Sequence, residues 1–333
     1  MSVDQKKAPK AQKATKAPNR PKAPKPAKPP TPAQPYRSGF AAIVGAPNSG
    51  KSTLLNRLLG QKVAIATAKP QTTRHRILGV LTDKFCQIVF CDTPGVHRSD
   101  KLLNAAMVAR AQAALADADV GLWVVDARRR GPEHQAALEM VLGRGVKPLA
   151  AVLNKCDLAV REELDALAVE IREAVAPQAL LEISAKTGQG LVELKKVLAA
   201  LLPEAPPPYP EDALTDQTLR DLAAEFVREA VFELTREEVP YSTAVTIDEF
   251  LEPDDPEASD ALYRISATIH VEKETQKKVM IGRKGEMLKN VGRRARLSLE
   301  DLLEARVFLS LFVRTTKDWS KSRRDLSDFG YAD

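Results

Sequence analysis

Cysteine and histidine are scarce in this chain, and no apolar run is long. Of 333 residues only three are cysteines, Cys86, Cys91 and Cys156. An odd number at wide spacing supports neither a disulfide framework nor a zinc site. The four histidines, His75, His97, His134 and His270, form no metal-ligand spacing, so a solvated or locally hydrogen-bonded role is expected for each. No apolar stretch approaches the roughly 18 residues that a membrane span requires. The N-terminus lacks the apolar stretch of a secretory signal, and its lysine-proline character with almost no serine is unlike an organellar transit peptide. A soluble, cytoplasmic protein is expected.

What is present divides the chain unevenly. Hydrophobic residues make up 44%, ample for real cores, and the length suggests two domains. Residues 1–36 hold nine prolines, eight lysines and Arg20 against the single acid Asp4. This arm carries +8 and cannot fold alone. The whole chain is only +6, so everything after residue 36 sums to −2 and the basic balance belongs to the arm. The arm reads either as a solvated tail or as a flexible polycation that gathers phosphates and speeds encounter with RNA; disorder of the free arm is expected in both cases.

From residue 37 to about 202, strand-like runs alternate with helical patterns: Phe40–Val44, Ile77–Thr82, Gln87–Cys91, Val120–Asp126, Pro148–Asn154 and Leu180–Ser184. That rhythm predicts an α/β domain with a mostly parallel sheet. Asp83-Lys84 between the second and third runs predicts one hairpin, hence one antiparallel edge strand. Pro203-Glu204-Ala205-Pro206-Pro207-Pro208-Tyr209-Pro210 has five prolines in eight residues and reads as a semi-rigid spacer over 203–212. Beyond it, residues 213–333 form a second, α+β domain. Leu219, Leu222, Ala223, Phe226, Ala230 and Leu234 recur at helical spacing, Tyr241–Phe250 is strand-like, and Tyr263 to Val271 and Val307 to Val313 alternate at period two.

Gly45-Ala46-Pro47-Asn48-Ser49-Gly50-Lys51-Ser52 follows the first strand and opens a helix at Ser52–Leu59. A glycine loop ending in Gly-Lys-Ser-Thr builds a phosphate cradle from backbone N–H groups, with Lys51 reaching the β- and γ-phosphates and the Ser52 hydroxyl on Mg²⁺. Thr53 completes this loop-to-helix element. Asp92-Thr93-Pro94-Gly95 ends the third strand, placing Asp92 beside the metal through water and the Gly95 N–H near the γ-phosphate. Asn154-Lys155-Cys156-Asp157 ends the fifth strand. There Asp157 can accept from the guanine N1–H and exocyclic amine, a pair that adenine does not offer, and such donor matching can discriminate by roughly 10⁴ to 10⁵. GTP and GDP rather than ATP are the expected ligands. Ser184-Ala185-Lys186 stands where a backbone N–H meets the guanine O6 and Lys186 braces the loop.

These four elements, with Gln71-Thr72-Thr73-Arg74 between the first helix and the second strand, resemble the translation-factor-like branch of P-loop GTPases. More narrowly, Lys69-Pro70-Gln71-Thr72-Thr73-Arg74-His75-Arg76 is similar to the first switch of the Era family. The resemblance implies that Thr73, or in a less favoured reading Thr72, completes the Mg²⁺ shell in the GTP state. Val96 stands where Ras-like GTPases place a water-orienting glutamine. The Era family also carries an aliphatic residue there, which implies slow unaided turnover, at or below an intrinsic rate of order 10⁻⁴ to 10⁻² s⁻¹. Asn48 is a candidate potassium ligand, because related GTPases with asparagine at this position use it so.

In the second domain, Gly282-Arg283-Lys284-Gly285 lies where two helices meet. Glycines at both ends let a nucleic-acid backbone approach while the central cations face phosphates, as in KH domains. A lone Gly-x-x-Gly is weak, but Lys273 through Arg296 holds nine basic residues against Glu274 and Glu286, while the rest of residues 211–333 sums to −14. Lys273, Lys277, Lys278, Lys289, Arg293 and Arg294 join the loop as candidate RNA contacts. Single-stranded RNA is the expected form, about four nucleotides in a KH cleft. The order of elements resembles a type II KH domain, and the resemblance to the Era family then covers nearly all of residues 38–331.

It implies a monomeric GTPase that uses GTP and Mg²⁺ as a switch for binding the 3′ region of small-subunit ribosomal RNA, acting in 30S subunit assembly, with loose peripheral association with the membrane. The lysine-proline arm departs from the family pattern. Two rival readings stand beside this one: an RNA-binding adaptor in which nucleotide is only structural, and a membrane-associated signalling GTPase.

Overall fold

The apolar runs of the first two hundred residues come together as one sheet. The computed structural model describes residues 35–67, 69, 77–93, 112–128, 131–144, 148–256, 258 and 260–331. Its first six strands are β1 (Arg37–Val44), β2 (Ile77–Thr82), β3 (Cys86–Asp92), β4 (Val120–Asp126), β5 (Leu149–Asn154) and β6 (Ala179–Ile183), in the order β2-β3-β1-β4-β5-β6. All neighbours are parallel except β2 and β3. The hairpin expected at Asp83-Lys84 is closed by the Asp83 N–H donating to the Cys86 carbonyl at 2.8 Å.

Every residue of β4 and β5 is buried, as a strand covered on both faces demands. Helices α1 (Lys51–Leu59) and α4 (Leu191–Leu201) pack Leu54, Leu55, Leu58, Leu194 and Leu198 on one face. On the other lie α2 (Pro132–Arg144) and α3 (Arg161–Val175), contributing Met140, Val141, Leu164, Leu167 and Ile171. The parallel register sets Ile43 beside Asp92, Asp126 beside Asn154, and Asn154 beside Ile183. The loops that follow these strands therefore open at one edge of the sheet.

The second sheet has β7 (Thr243–Leu251), β8 (Leu262–Val271) and β9 (Arg306–Thr315) in that order, with β7/β8 antiparallel and β8/β9 parallel. Helices α5 (Leu219–Leu234), α6 (Glu274–Ile281) and α7 (Glu286–Leu303) cover one face of it, burying Val227, Val231, Met280, Val291 and Ala295 against Ala267, Ile269 and Val271. The short C-terminal helix α8 (Arg323–Asp328) follows Trp319, which is fully buried and donates its indole N–H to the Ser242 carbonyl at 3.0 Å.

One expectation changes. The proline-rich segment is no free-standing spacer. The Ser38 N–H donates to the Pro203 carbonyl, the Ala205 N–H to that of Tyr36 and the Val80 N–H to that of Leu214. The buried Gln87 amide both donates to the Tyr209 carbonyl and accepts from its N–H. Prolines lack donors but keep their carbonyls, and β1, β2 and β3 supply donors to this stretch of chain. Helix α5 is buried all round over one stretch, Glu225–Phe232. Ile65 from the first half joins Ala223, Phe226 and Tyr263 in one cluster, so the helix is enclosed from both sides.

Candidate nucleotide site and RNA groove

Helix α1 begins in an electrostatically open state. Gly50 sits at its N-cap in the left-handed region (φ 97°), no side chain caps the end, and its first turn holds no acid. The positive pole of the helix therefore faces the loop Gly45–Gly50 without an internal anion, the arrangement that binds phosphate. A Cβ on Gly50 would stand 2.3 Å from the Asn154 amide nitrogen, so only glycine lets the phosphate loop meet the loop after β5. Ser49 is fully buried, and its hydroxyl makes no hydrogen bond. Lys51 is 6% exposed and donates to the Gly45 and Ala46 carbonyls at 3.0 and 2.9 Å. Burial pushes its amine down to about 8; Asp92 opposes this and Lys155 adds to it.

The Ser52 hydroxyl donates to Asp92 Oδ2 at 2.7 Å. A hydroxyl and a buried carboxylate, one from α1 and one from β3, form part of the hard-oxygen set suited to Mg²⁺, which completes its octahedron with phosphate oxygens and water. Among the described residues no cluster of three or more His, Cys, Asp or Glu is placed to hold a metal. Thr93 turns inward. Its hydroxyl donates to the Ile43 carbonyl at 2.7 Å, tying β3 to β1 and presenting no side chain to a ligand. Pro94, Gly95 and Val96 lie outside the described residues, as do Thr72, Thr73 and the rest of Gln71–Arg76.

In the loops after β5 and β6, Asn154 is 1% exposed and acts as a brace. Its amide donates to the Ser49 carbonyl at 2.8 Å, and its oxygen accepts from the Ala185 N–H at 2.9 Å. The Ala185 N–H is thus engaged by protein. Asp157 is exposed on the short helical turn Cys156–Leu158, and Lys186 is exposed beside the buried Ser184 and Ala185. Lys155 takes a left-handed backbone (φ 67°). Its amine donates to the Asn48 carbonyl at 2.5 Å and to Asp126 Oδ2 at 2.6 Å. Burial works against the ionised Asp126 carboxyl, but the donors Lys155 and Arg128 outweigh it and hold it below its usual range. Sequence reasoning did not name Asp126; the available signal was an acid at the carboxyl end of a buried strand.

In the second half, α6 ends at Ile281 and α7 starts at Glu286, with Gly282-Arg283-Lys284-Gly285 between them. Gly282 has φ 74°, and a Cβ there would stand 2.7 Å from the Met287 Cβ. Arg283, Lys284, Lys289 and Arg293 are exposed, as are Lys273 and Lys278, while Lys277 is half-buried. Arg294 departs from expectation: it forks onto Glu233 of α5, with Nε–Oε2 at 2.6 Å and the second nitrogen at 3.2 Å. This side chain holds α7 to α5. Beside the loop runs a groove of about 510 Å³ between α7 and β9, walled by Lys289, Arg293 and Arg296 and floored by Leu288, Leu309 and Leu311. The apolar floor was not foreseen; Gly292, a glycine in mid-helix that also lines the groove, was its one local signal.

A basic loop over an apolar groove is the architecture of nucleic-acid-binding KH domains, and a model described as "KH domain" matches residues 238–320. A model described as "50S ribosome-binding GTPase" matches residues 40–155. GTPase Era of Geotalea daltonii is 45% identical over 298 residues, covering 90% of this chain and 99% of that protein. GTPase Era of Syntrophus aciditrophicus is 46% identical, covering 89% and 95%. The chain belongs to the GTPase Era family.

Solved Era structures agree with this placement. A point variant of Aquifex aeolicus Era bound to GDP·AlF4⁻ is 40% identical, with a TM-score of 0.81, covering 89% of this chain and 99% of that one. An Era structure in complex with MgGDPNP and nucleotides 1506–1542 of 16S ribosomal RNA matches with the same identity, TM-score and coverage. As an Era-family GTPase this chain joins a P-loop GTPase fold to a KH fold. Among its described residues no helix is long and apolar enough to cross a membrane.

Proposed function

We propose that this GTPase binds GTP with Mg²⁺ across the open edge of the first sheet and uses the nucleotide state to control its grip on the 3′ region of 16S ribosomal RNA during 30S subunit assembly. Residues 37–202 are read as the nucleotide domain and 213–333 as the RNA domain. The observation that carries the reading is the meshing of five strand ends: Asn154 bridges the phosphate loop to Ala185, Lys155 ties that loop to Asp126, and Ser52 meets Asp92. What the Era complexes hold, GDP·AlF4⁻ in one and MgGDPNP with 16S RNA in the other, supports the same ligands here.

In this reading Ser52 and Asp92, with Thr73, hold the ion, which when bound neutralises charge on the transferring phosphoryl group. Lys51, already seated on two loop carbonyls, stabilises the β- and γ-oxygens, and the Gly95 N–H meets the γ-phosphate. Asp157 selects guanine. Asn48 as a potassium ligand extends the same site: hydrolysis in matched potassium and sodium buffers tests it, and equal rates remove it. Arg283, Lys284, Lys289 and Arg293 hold phosphates while the apolar floor takes bases; Arg294 acts from behind, through Glu233.

Cytoplasmic residence, a monomeric state and peripheral membrane contact complete the proposal. The +8 arm supplies the charge that an anionic membrane surface would draw on, and cofractionation with lipid or with small subunits separates the two sites of action. The central test is RNA affinity measured with GDP and with a non-hydrolysable GTP analogue. Coupling of this kind amounts to about 1–3 kcal/mol, or roughly 5- to 150-fold. Identical affinity in the two states refutes the switch.

A further inference from the structure

Helices α5, α6 and α7 cover one face of the three-stranded sheet. On the other, the alternation of β9 brings out Arg306, Phe308, Ser310, Phe312 and Arg314. Phe308 and Phe312 are 55% and 58% exposed, on the strand at the sheet's edge. The C-terminal segment covers the far corner of this face: Phe329 lies 4.5 Å from the His270 ring, and Trp319 packs with Ala244. It leaves the two phenylalanines bare. Arg264, across from Phe308 in register, holds its guanidinium 5.9 Å from that ring. Neither Arg264, Arg306 nor Arg314 forms an ion pair among the described residues.

An apolar protein partner would call for a continuous greasy patch. Here each ring is separated by serine and flanked by arginine, the pattern of bases stacked on aromatics with phosphates held beside them. The sheet's own acids on this face, Asp248 and Glu249, lie on β7, at the opposite edge, and Asp325 of α8 sits near His270 at the covered corner. Phe308 also lines the groove, so the stripe and the groove share a wall.

We propose that the outer face of β9 is a second nucleic-acid platform, continuous with the groove, on which unpaired RNA bases leaving the groove stack on Phe308 and Phe312 while Arg264, Arg306 and Arg314 hold their phosphates. Four strand residues span about 13 Å, room for a few extended nucleotides between the rings. The proposal rests on the reading that the groove takes single-stranded RNA.

The test measures binding by the full chain, loaded with a GTP analogue, to the 16S segment 1506–1542 and to a nested series of shorter single-stranded fragments. Phe312→Ala, which lies outside the groove lining, is expected to weaken the long RNA by about tenfold, the effect of losing one base stack. It leaves the shortest bound fragment within about twofold, and Phe312→Tyr restores the long-RNA affinity. Equal binding of long RNA by Phe312→Ala and the parent chain overturns the platform, as does a loss that is the same at every length. A change in sedimentation without a change in RNA affinity assigns the face to contacts between copies and overturns it as well. Arg283→Ala with Lys284→Ala tests the groove separately: if that pair leaves every fragment bound as before, the groove reading fails, while the Phe312 result still reports on the platform.

Discussion

Nucleotide affinity should fall with rising pH well before an ordinary lysine titrates. Lys51 is enclosed in the phosphate loop, and burial lowers its amine from 10.5 to about 8. That lowering corresponds to roughly 3 kcal/mol against the protonated form, carried in full by the nucleotide-free fold below pH 8 and shed between 8 and 10.5. With respect to folding, this site therefore becomes more favourable as pH rises. For nucleotide binding the sign reverses. Phosphates favour the ammonium and lift its pKa, so at pH 7 the amine is already charged and binding takes up few protons. At pH 8.5 about three-quarters of the free protein must first be protonated, so affinity drops about fourfold from its pH 7 value and each binding event takes up about three-quarters of a proton.

Calorimetry with GDP at pH 7, 8 and 8.5, in buffers of differing ionisation enthalpy, measures both quantities. The range stays below ionisation of the guanine N1–H and above the second phosphate ionisation near 6. Heats that do not depend on buffer, together with flat affinity across the range, would refute the reasoning.

Gly50→Ala should cut nucleotide affinity by more than tenfold while the sheet stays folded, since its Cβ meets the Asn154 amide at 2.3 Å in a left-handed backbone and such strain costs about 1–3 kcal/mol; nucleotide titration beside thermal melting checks it. Asp126→Asn frees Lys155 from its ion pair and should weaken GDP binding about tenfold, the effect of one charge-assisted hydrogen bond. Because the Asp126 carboxyl is held below its usual range, its stabilising share is whole above about pH 4 and fades below it, so the variant should lose that part of the acid unfolding limb. Lys62→Met and Glu229→Gln, taken singly and together, should show coupling of about 1 kcal/mol by denaturant melting, given a 2.5 Å pair in which Glu229 is 5% exposed.

The parts of the site legible in the sequence were those whose chemistry is local. Gly45–Ser52, Asp92 and Asn154–Asp157 each declare themselves within a few residues, and buried parallel strands announce themselves as apolar runs that place such loops at their carboxyl ends. The unread parts depend on partners far along the chain. Gln87 is one glutamine in a strand until Tyr209, 122 residues later, closes on it. Arg294 looks like its neighbour Arg293 in a basic run; only the packing of α7 on α5 sets Glu233 under one of them. Helix α5 has the spacing of a one-sided amphipathic helix, and its buried charges, Arg228 with Glu225 at 2.5 Å, give no hint that a second body encloses it.

That enclosure bears on how the two halves communicate. Between α1 and Lys69, Lys62 pairs with Glu229 and the Ala66 N–H donates to the same carboxylate. Lys69, at the threshold of Pro70–Arg76, donates to the Phe232 and Thr235 carbonyls at the C-terminal end of α5, the negative pole of that helix. One turn beyond Glu229, Glu233 grips Arg294 on α7, the helix that leads from the Gly282–Gly285 loop. Burial holds the Lys69 amine below its ordinary value, helped by Arg236. A single helix thus holds the chain leading to Pro70 with one carboxylate and α7 with the next. A packed helix moves as a unit, because an interior at crystal-like density does not deform continuously. A displacement of Lys69 that carries α5 with it therefore reaches Arg294 and the groove wall through Glu233.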